Sequence, residues 1–523
     1  MIDVAKTFRE NEILLTGANG FLGKIILGLL LDRYPDSKHV HVLIRPRRGR
    51  SAEERFETDI LQSPAMKPLV DQRGADWIRG KVTVWAGDAA EIDASGPRVH
   101  DWSRVRLILN CAGLVEFFPA VDESLRANVD SVERLVALAE TIGARLLHIS
   151  TCYVAGRADG LVEESEPVAG FYPRRAGADD DSFDAAVELQ SCREQIDALT
   201  ARDPQRSRQT TQALIELGRQ RAERWGWVNT YTYAKSLGEQ TLVREAARSG
   251  LQYAIVRPAI VESSLEFPFP GWIEGGRTAA PLVLMALGGL KEWPMRPDIA
   301  LEVVPVDQVA AATLAVAALL LNEEQAPEAE LADPTSLHAR REHTPVYQLA
   351  TADQNPFDLA DLVTLLDEEA ARQAGNGVTR PPLWLDPLRR LRFLSEAQVR
   401  DRRQKLQQRL ETARTVAEKI AASGLPGNRA AARWSAALRT LGLQASFREQ
   451  TLDQYLPFIL KNRYVFETHN IRQAYACLSA ADRERLPWNP EKIDWRRYWV
   501  ENQIGGIRKW VQPEAVREWQ FKL

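Results

Sequence analysis

The sequence predicts an α/β fold built on a doubly wound parallel sheet, and three observations carry this prediction. Short apolar segments alternate with helical patterns through the first half of the 523 residues, as in a parallel sheet wrapped by helices. A glycine-rich turn follows the first of these segments, where such folds bind a dinucleotide. The chain after about residue 346 is mostly helical in pattern. We therefore expect a Rossmann-type doubly wound sheet with a helical insertion and a mostly helical C-terminal domain.

The candidate strands and the segments between them define the predicted domains. Six apolar segments are candidate strands: Ile13–Leu15, His39–Ile44, Val82–Trp85, Leu107–Asn110, Leu146–Ser150 and Tyr253–Val256. A polar insertion with a helical pattern occupies about 157–226, and a Glu-, Ala- and Pro-rich loop at 323–345 precedes one more strand, Val346–Thr351. We predict a dinucleotide-binding domain at 1–345, which carries the insertion, and a second domain at 346–523.

Composition narrows the functional classes. The chain is 45% hydrophobic and 26% charged, which is ordinary for a folded globular protein, and its net charge of −4 gives no support for a nucleic-acid partner. Its four cysteines form no CxxC pair and no cluster with metal-ligand spacing, so we expect a reducing compartment and no metal.

Targeting and membrane signals are missing from the sequence pattern. Met1–Glu12 lacks the apolar core of a signal peptide. The longest apolar runs, Val309–Leu321 and Ala279–Leu287, are shorter than the roughly 20 residues needed to span a bilayer. We therefore expect a cytoplasmic protein with at most peripheral membrane contact.

The strongest local signal is the glycine pattern Gly17-x-x-Gly20-x-x-Gly23, which follows an apolar strand and opens a helix. Glycines permit a tight turn and let the backbone approach a pyrophosphate, and the helix N-terminus then offers free N–H groups to that anion. The order of strand, glycines, helix and second strand favours a dinucleotide site over a purely structural turn.

The end of the second strand predicts which dinucleotide binds. A cofactor with a free 2′-hydroxyl favours Asp or Glu there, whereas this chain has Arg45 after Ile44. An arginine can bind a 2′-phosphate through charge-assisted hydrogen bonds, so NADPH is expected. We interpret the later Arg48 and Arg50 as residues of a solvated loop.

Two further strand ends complete the predicted cofactor site. Asp88 ends the third strand, where its carboxylate can accept a hydrogen bond from the adenine amino group. Small residues around Ala112 end the fourth strand. The residues assigned to the cofactor are Thr16, Gly17, Asn19, Gly20, Phe21, Leu22, Gly23, Arg45, Asp88, Ala112, Lys235 and Pro258.

A Tyr-x-x-x-Lys pattern supplies the candidate catalytic groups. Tyr231 and Lys235 are four residues apart, so on a helix they share a face, whereas Tyr233 lies off that face and is expected to pack. A neighbouring ammonium and the nicotinamide should lower the pKa of the Tyr231 phenol toward working pH.

A hydroxyl at the end of the fifth strand should complete this catalytic set. We assign that role to Thr151 and hold Ser150 in reserve. Cys152 is an alternative nucleophile for thioester chemistry, but the sequence offers it no evident histidine partner, and hydride can attack a thioester directly.

These segments resemble extended short-chain dehydrogenases. Glu262–Gly275 narrows the resemblance to fatty acyl-CoA reductases of the male-sterility group, in their soluble, bacterial-like form. Three C-terminal segments are similar to the second domain of that group, namely Phe466–Arg472, Ile493–Trp499 and Gly506–Lys509. The resemblance implies that 346–523 binds substrate and that NADPH reduces a long-chain acyl-CoA to the fatty alcohol through a bound aldehyde. In this scheme Thr151 and Tyr231 stabilise the oxyanion, and Tyr231 supplies a proton.

Three alternatives remain open at this stage. The enzyme could release acyl groups from an acyl carrier protein, docked on the basic stretch from Arg389 to Arg409, although the same stretch also fits a solvated helix face. Together with Leu388, Leu391, Phe393 and Leu394, that stretch could instead touch a membrane surface. From a different class, the chain could be a non-catalytic dehydrogenase-like binding module, which an intact Thr/Tyr/Lys set disfavours.

Overall fold

The computed structural model describes residues 1–177, 180–276, 278–322, 345–375, 391–422, 449 and 451–511. By its internal contacts the chain forms two compact units. Unit 1 comprises Met1–Thr278, Glu302–Pro356 and Tyr464–Trp510. Unit 2 comprises Ala279–Leu301, Phe357–Arg463 and Val511–Leu523.

The centre of unit 1 is a parallel sheet. In the described residues it has seven strands in the order β11-β7-β5-β4-β1-β2-β3, all paired in parallel. These strands are β1 Glu12–Thr16, β2 His39–Ile44, β3 Val82–Ala86, β4 Val105–Asn110, β5 Arg145–Ile149, β7 Tyr253–Pro258 and β11 Val346–Leu349. Strand order reverses between β1 and β4, which is where sheets of this kind form their ligand crevice.

Shorter strands form three two-stranded pairs. β6 (Asp159–Val162) pairs with β13 (Arg463–Phe466). β8 (Ile260–Glu262) pairs with β10 (Val303–Pro305), and in unit 2 β9 (Glu292–Trp293) pairs with β12 (Arg392–Phe393).

Helices surround the sheet and make up most of unit 2. Those of unit 1 are α1 Val4–Glu10, α2 Phe21–Arg33, α3 Ala52–Arg55, α4 Lys67–Arg73, α5 Ala75–Lys81, α6 Val121–Leu125, α7 Ser131–Ile142, α8 Ala185–Thr200, α9 Arg208–Trp225, α10 Thr230–Ser249, α12 Val306–Asn322, α15 His469–Ala476, α16 Ala480–Arg485 and α17 Trp495–Arg497. Those of the described part of unit 2 include α11 Ala280–Leu287, α13 Leu359–Gly375 and α14 Glu396–Ala422. None of the helices in the described ranges combines the length and hydropathy that a bilayer span requires.

The apolar strands form a parallel sheet because helices cover both of its faces. Every residue of β1 is buried, as expected for a strand without a solvated side. On one face the core includes α2 and α12, and on the other it includes α7 and α10. This architecture confirms the predicted α/β fold, and all seven predicted strands form within one or two residues of their expected bounds.

The two compact units do not follow the single division that the sequence suggested at residue 345. β11 pairs with β7, so Val346–Leu349 completes the sheet of unit 1. The aromatic segment 464–510 also belongs to unit 1, whereas Ala279–Leu301 belongs to unit 2. The physical reason is that long-range strand pairing and burial, which periodicity along the chain does not encode, decide where a segment packs.

Candidate active site

The glycine turn lies between β1 and α2, and its geometry depends on two of its glycines. Gly17 has φ +71°, and a Cβ atom there would lie 2.7 Å from the Ala112 nitrogen. A Cβ atom on Gly23 would press on the Gly17 carbonyl, closer than real carbon atoms approach. The first N–H bonded inside the helix is that of Lys24, which donates to Gly20. The preceding N–H groups of the first turn therefore suit a pyrophosphate.

A buried chain of hydrogen bonds joins the ends of β1, β4 and β5 beside this turn. The Ala112 N–H donates to Thr16 Oγ1 (3.1 Å), and the Thr16 hydroxyl donates to Asn110 Oδ1 (2.7 Å). Asn110 Nδ2 in turn contacts His148 Nδ1 at 3.1 Å. These bonds hold the predicted cofactor residues Thr16 and Ala112 against each other.

Arg45 and Asp88 meet at the ends of β2 and β3. Arg45 Nη1 lies 3.2 Å from Asp88 Oδ2, and the Arg45 side chain is 58% exposed. Arg126 Nη2 contacts the same oxygen at 2.9 Å. Two guanidinium groups thus converge on one carboxylate, and the exposed Arg45 is accessible to a phosphate.

The remaining predicted cofactor residues border the same turn and strand ends. Asn19 is partly buried and Gly20 is exposed in the turn, while Phe21 and Leu22 begin α2. Pro258 ends β7. The Phe21 ring packs on Trp272, with centroids 5.0 Å apart, which fixes the first turn of α2.

Thr151 and Tyr231 come together at the end of β5. The Thr151 side chain lies close enough to the Tyr231 phenol to favour the phenolate and so to counter part of the rise in its pKa. Asn229 positions Tyr231 by capping α10, because its Oδ1 accepts the Thr232 N–H at 2.8 Å. The other hydroxyl considered, that of Ser150, is buried and has no hydrogen-bond partner among the described residues.

Lys235 lies one turn further along α10, and its ammonium group is buried. Its Nζ donates to the Ile149 carbonyl at 2.8 Å, and Gly113 leaves room for it, since a Cβ there would lie 3.2 Å from Nζ. Burial lowers the pKa of Lys235 to about 8. A cation in this position can stabilise negative charge at the neighbouring hydroxyls.

The protein environment of Tyr231 raises the pKa of its phenol, whereas the predicted lowering involves the nicotinamide as well as Lys235. Burial raises the pKa of Tyr231 above its ordinary value, and Thr151 lowers it only in part. Desolvation of the phenolate thus outweighs the stabilisation that Thr151 provides. Tyr231 therefore holds its proton at neutral pH, as an acid that delivers a proton must.

Sequence reasoning missed Asn128, which lies on a π-helical turn at Arg126–Asp130. Its Nδ2 donates to the Leu114 carbonyl at 3.2 Å. Its buried Oδ1 has no hydrogen-bond partner in the described part of the chain, and a Cβ on Gly113 would lie 2.8 Å from that oxygen. Asn128 and Lys235 thus border the same small space above Gly113. The sequence signal that could have identified Asn128 is a side-chain amide placed among the apolar residues of a helical pattern.

The cysteines near the site do not form a nucleophile. Cys152 is 1% exposed, its thiol donates to the Arg257 carbonyl, and burial raises its pKa. Burial also raises the pKa of Cys111 to about 12. Both are therefore thiols near neutral pH, which fits the preference for direct hydride attack over an acyl-enzyme.

Sequence comparison relates this chain to a family of NAD-binding proteins. A family model described as "Male sterility protein" matches residues 15–313, more than half of the chain. The probable fatty acyl-CoA reductase 4 of Arabidopsis thaliana is 30% identical over 322 residues, which cover 59% of this chain and 64% of that protein. The alcohol-forming fatty acyl-CoA reductase of Simmondsia chinensis is 30% identical over 320 residues, covering 59% and 63%. Both matches thus span just under two thirds of the relative.

A longer match and two solved structures extend the comparison. Fatty acyl-CoA reductase 1 of Rattus norvegicus is 26% identical over 530 residues, covering 99% of this chain and 87% of that protein. The terminal R domain of the myxalamid PKS-NRPS pathway has a TM-score of 0.52 at 15% identity, covering 95% and 90%. The reductase domain of a nonribosomal peptide synthetase from Mycobacterium tuberculosis has a TM-score of 0.50 at 17% identity, covering 97% and 96%. At these identities the structural likeness is one of fold.

Proposed function

Because the chain belongs to the male sterility protein family, within the extended short-chain dehydrogenases, we propose that it reduces long-chain fatty acyl-CoA with NADPH to the fatty alcohol. The observation that supports this proposal is the placement of Tyr231 and Lys235 four residues apart on α10, with Thr151 close to the Tyr231 phenol. An intact set of this kind also disfavours a non-catalytic binding module.

The proposed chemistry assigns each side chain one task. A reduced nicotinamide, when bound, supplies hydride to the thioester carbonyl carbon. The hydroxyls of Thr151 and Tyr231 donate hydrogen bonds to the oxygen that becomes negative, and Tyr231 transfers its proton to it. The Lys235 cation then stabilises the tyrosinate. The resulting hemithioacetal loses thiol to give an aldehyde, and a second hydride and proton give the alcohol.

We predict that activity falls as pH rises through about 8, because Lys235 loses its charge there. Below that pH the lysine is protonated and supports the tyrosinate, and above it the support is lost. The measurement is kcat/KM for a fatty aldehyde from neutral to alkaline pH, since an aldehyde avoids thioester hydrolysis. In the Lys235→Arg variant, kcat/KM should be lower at every pH but should no longer fall as the pH becomes alkaline. An unchanged alkaline fall in that variant would assign it to another group.

NADPH is proposed over NADH because Arg45 stands at the end of β2, exposed beside Asp88. We predict that Arg45→Ala lowers kcat/KM for NADPH by about ten- to a hundredfold, since a charge-assisted hydrogen bond contributes about 1.5–3 kcal/mol. The kcat/KM for NADH should fall far less. The measurement is kcat/KM for both cofactors in both proteins. Equal losses of kcat/KM for the two cofactors would show that Arg45 does not bind the 2′-phosphate.

Stoichiometry tests whether the product is alcohol or aldehyde. The described residues contain one glycine-rich nucleotide turn and one Tyr-x-x-x-Lys helix, so both reductions are assigned to one site. Each buried methylene contributes about 0.8 kcal/mol, so a long acyl chain should keep the aldehyde bound between the two steps. We predict two NADPH consumed per thiol released from long-chain acyl-CoA, with little aldehyde trapped by a hydrazine. One NADPH per thiol with stoichiometric aldehyde at every chain length would make the enzyme aldehyde-forming.

The basic stretch at 389–409 gives little support to docking of an acidic carrier protein. Residues 389 and 390 lie outside the described ranges. In unit 2, Arg402 pairs with Glu292, Arg403 with Asp453, and Lys405 with Asp401. These charges are neutralised within the unit, which favours the solvated-face interpretation. Leu394 is 8% exposed and therefore unavailable to a membrane surface, and Leu388 is not described.

A further inference from the structure

Three arginines surround one junction of unit 1, which we call the glycine junction. It is formed by Gly156, Pro173 and Gly226, two of which have positive φ (+65° at Gly156 and +101° at Gly226). A Cβ on Gly156 would collide with the Pro173 ring and would lie 3.0 Å from the Gly226 carbonyl oxygen. A Cβ on Gly226 would lie 2.7 Å from Arg174 Cγ. Arg157 follows Gly156, Arg174 follows Pro173, and Arg224 lies two residues before Gly226, so each arginine stands on one of the chain segments that meet at this junction.

The three arginines at this junction are exposed and carry uncompensated charge. In the described part of the chain, the guanidinium groups of Arg157, Arg174 and Arg224 have no ion pair and no hydrogen bond to a carboxylate. Arg224 lies over the Trp225 ring, with Cζ 4.9 Å from its centroid, which limits its freedom without neutralising it. The neighbouring Arg175, by contrast, pairs with Glu166. The junction therefore presents a local positive potential that nothing described in the protein satisfies.

The glycine junction is connected directly to the catalytic hydroxyls. The segment from Thr151 to Arg157 spans six peptide units, so their Cα atoms lie at most roughly 20 Å apart. On the other side, the chain runs from Arg224 to Tyr231 by way of Trp227. The Trp227 indole donates to the Val154 carbonyl at 2.9 Å, and this bond joins the two segments midway. These short segments therefore keep the junction within roughly 20 Å of the hydroxyl of Thr151 along the chain.

We propose that Arg157, Arg174 and Arg224 bind the phosphate groups of a pantetheine thioester, while its acyl carbonyl lies at Thr151 and Tyr231. This inference rests on the proposed function. It concerns the thiol portion of the thioester substrate, which carries the phosphate groups. Guanidinium groups suit phosphate because their planar donors match its oxygens in pairs and remain charged at every working pH. Coenzyme A and the prosthetic arm of a carrier protein share the phosphate that follows pantetheine, so the chemistry is common to both sources.

The test compares one acyl chain on three thiols: coenzyme A, dephospho-coenzyme A, which lacks the 3′-phosphate, and pantetheine, which lacks all phosphates. The wild-type enzyme should prefer acyl-CoA over acyl-pantetheine by about a hundredfold in kcat/KM, mainly through KM, and raised ionic strength should shrink this preference. Equal kcat/KM for these two substrates would overturn the inference.

Single Ala variants of the three arginines identify the site. Each should raise KM for acyl-CoA by about tenfold, as expected for one charge-assisted contact to phosphate. Each should leave the reduction of acyl-pantetheine and of free aldehyde unchanged, which also shows that the variants fold. If the losses persist with dephospho-coenzyme A, the bound phosphate is the one shared with carrier proteins. If they vanish, it is the 3′-phosphate of coenzyme A.

Arg219→Ala is the matched control. Arg219 is an exposed arginine on the same helix, α9, but it pairs with Glu216 and Glu223, and its loss should not change KM for any of the three thioesters. Equal losses on acyl-CoA and acyl-pantetheine in the three junction variants would refute the phosphate site while leaving the reductase proposal intact. Failure of the wild-type enzyme to reduce both thioester and aldehyde would instead refute the proposed function itself.

Discussion

Tyr231→Phe should abolish reduction of both the acyl thioester and the free aldehyde, with a fall of about 10³-fold in kcat for each. The substitution removes one hydroxyl, which is both a hydrogen-bond donor to the developing oxyanion and the proton source, and general acid catalysis alone contributes about 10²–10⁴-fold. The measurements are the two rates and, separately, cofactor binding by fluorescence. Binding should persist, because Tyr231 is not among the residues that hold the pyrophosphate or the 2′-phosphate. Near-normal aldehyde reduction in this variant would show that the two reductions do not share a site.

Tyr233→Phe supplies the control because it also removes a phenolic hydroxyl, at a position two residues from Tyr231. Tyr233 is fully buried, and its hydroxyl donates to Glu188 at 2.7 Å. Arg221 still pairs with that carboxylate at 3.0 Å, so the loss should be limited to about 1 kcal/mol of stability. The turnover number should stay near that of the wild type. A loss of rate as large as that of Tyr231→Phe would mean that α10 as a whole, and not one hydroxyl, is being perturbed.

The fold and the cofactor turn could be predicted because local sequence encodes them. Each strand of the main sheet is a continuous apolar segment, since both of its faces are buried. The glycines at 17 and 23 are required by close backbone approach, which no other residue permits. The position of Tyr231 and Lys235 on one face of α10 follows from helical spacing alone, and the proximity of Thr151 follows from its place just after β5.

Features that depend on three-dimensional packing could not be predicted in the same way. Asn128 lies near Lys235 above Gly113 because two helices pack closely, with Gly238 against the Asn128 backbone carbonyl. The direction of the Tyr231 pKa depends on how completely the phenol is desolvated, which a sequence pattern does not specify. The membership of segment 464–510 in unit 1 depends on long-range contacts such as the hydrogen bonds from Asn502 Nδ2 to the carbonyls of Ser264 and Leu265.

Gly23→Ala should reduce cofactor affinity by about five- to thirtyfold and should lower activity in proportion. The added Cβ would press on the Gly17 carbonyl, a backbone atom that cannot move without opening the turn. Overpacking of this kind costs about 1–3 kcal/mol, and part of that cost falls on the bound state, in which the turn must close on the pyrophosphate. The measurements are the dissociation constant for NADPH and the free energy of unfolding without cofactor.

Gly80→Ala separates this steric effect from helix propensity. Gly80 also lies within a helix, α5, and a Cβ there would meet no atom within 4 Å. Alanine stabilises a helix interior by about 1 kcal/mol relative to glycine, so this variant should be slightly more stable and bind NADPH normally. The same propensity gain acts at Gly23, so any loss of stability there understates the strain in the turn. If Gly23→Ala instead matched Gly80→Ala in both affinity and stability, the turn would tolerate a side chain, and the pyrophosphate would have to bind elsewhere than at the N-terminus of α2.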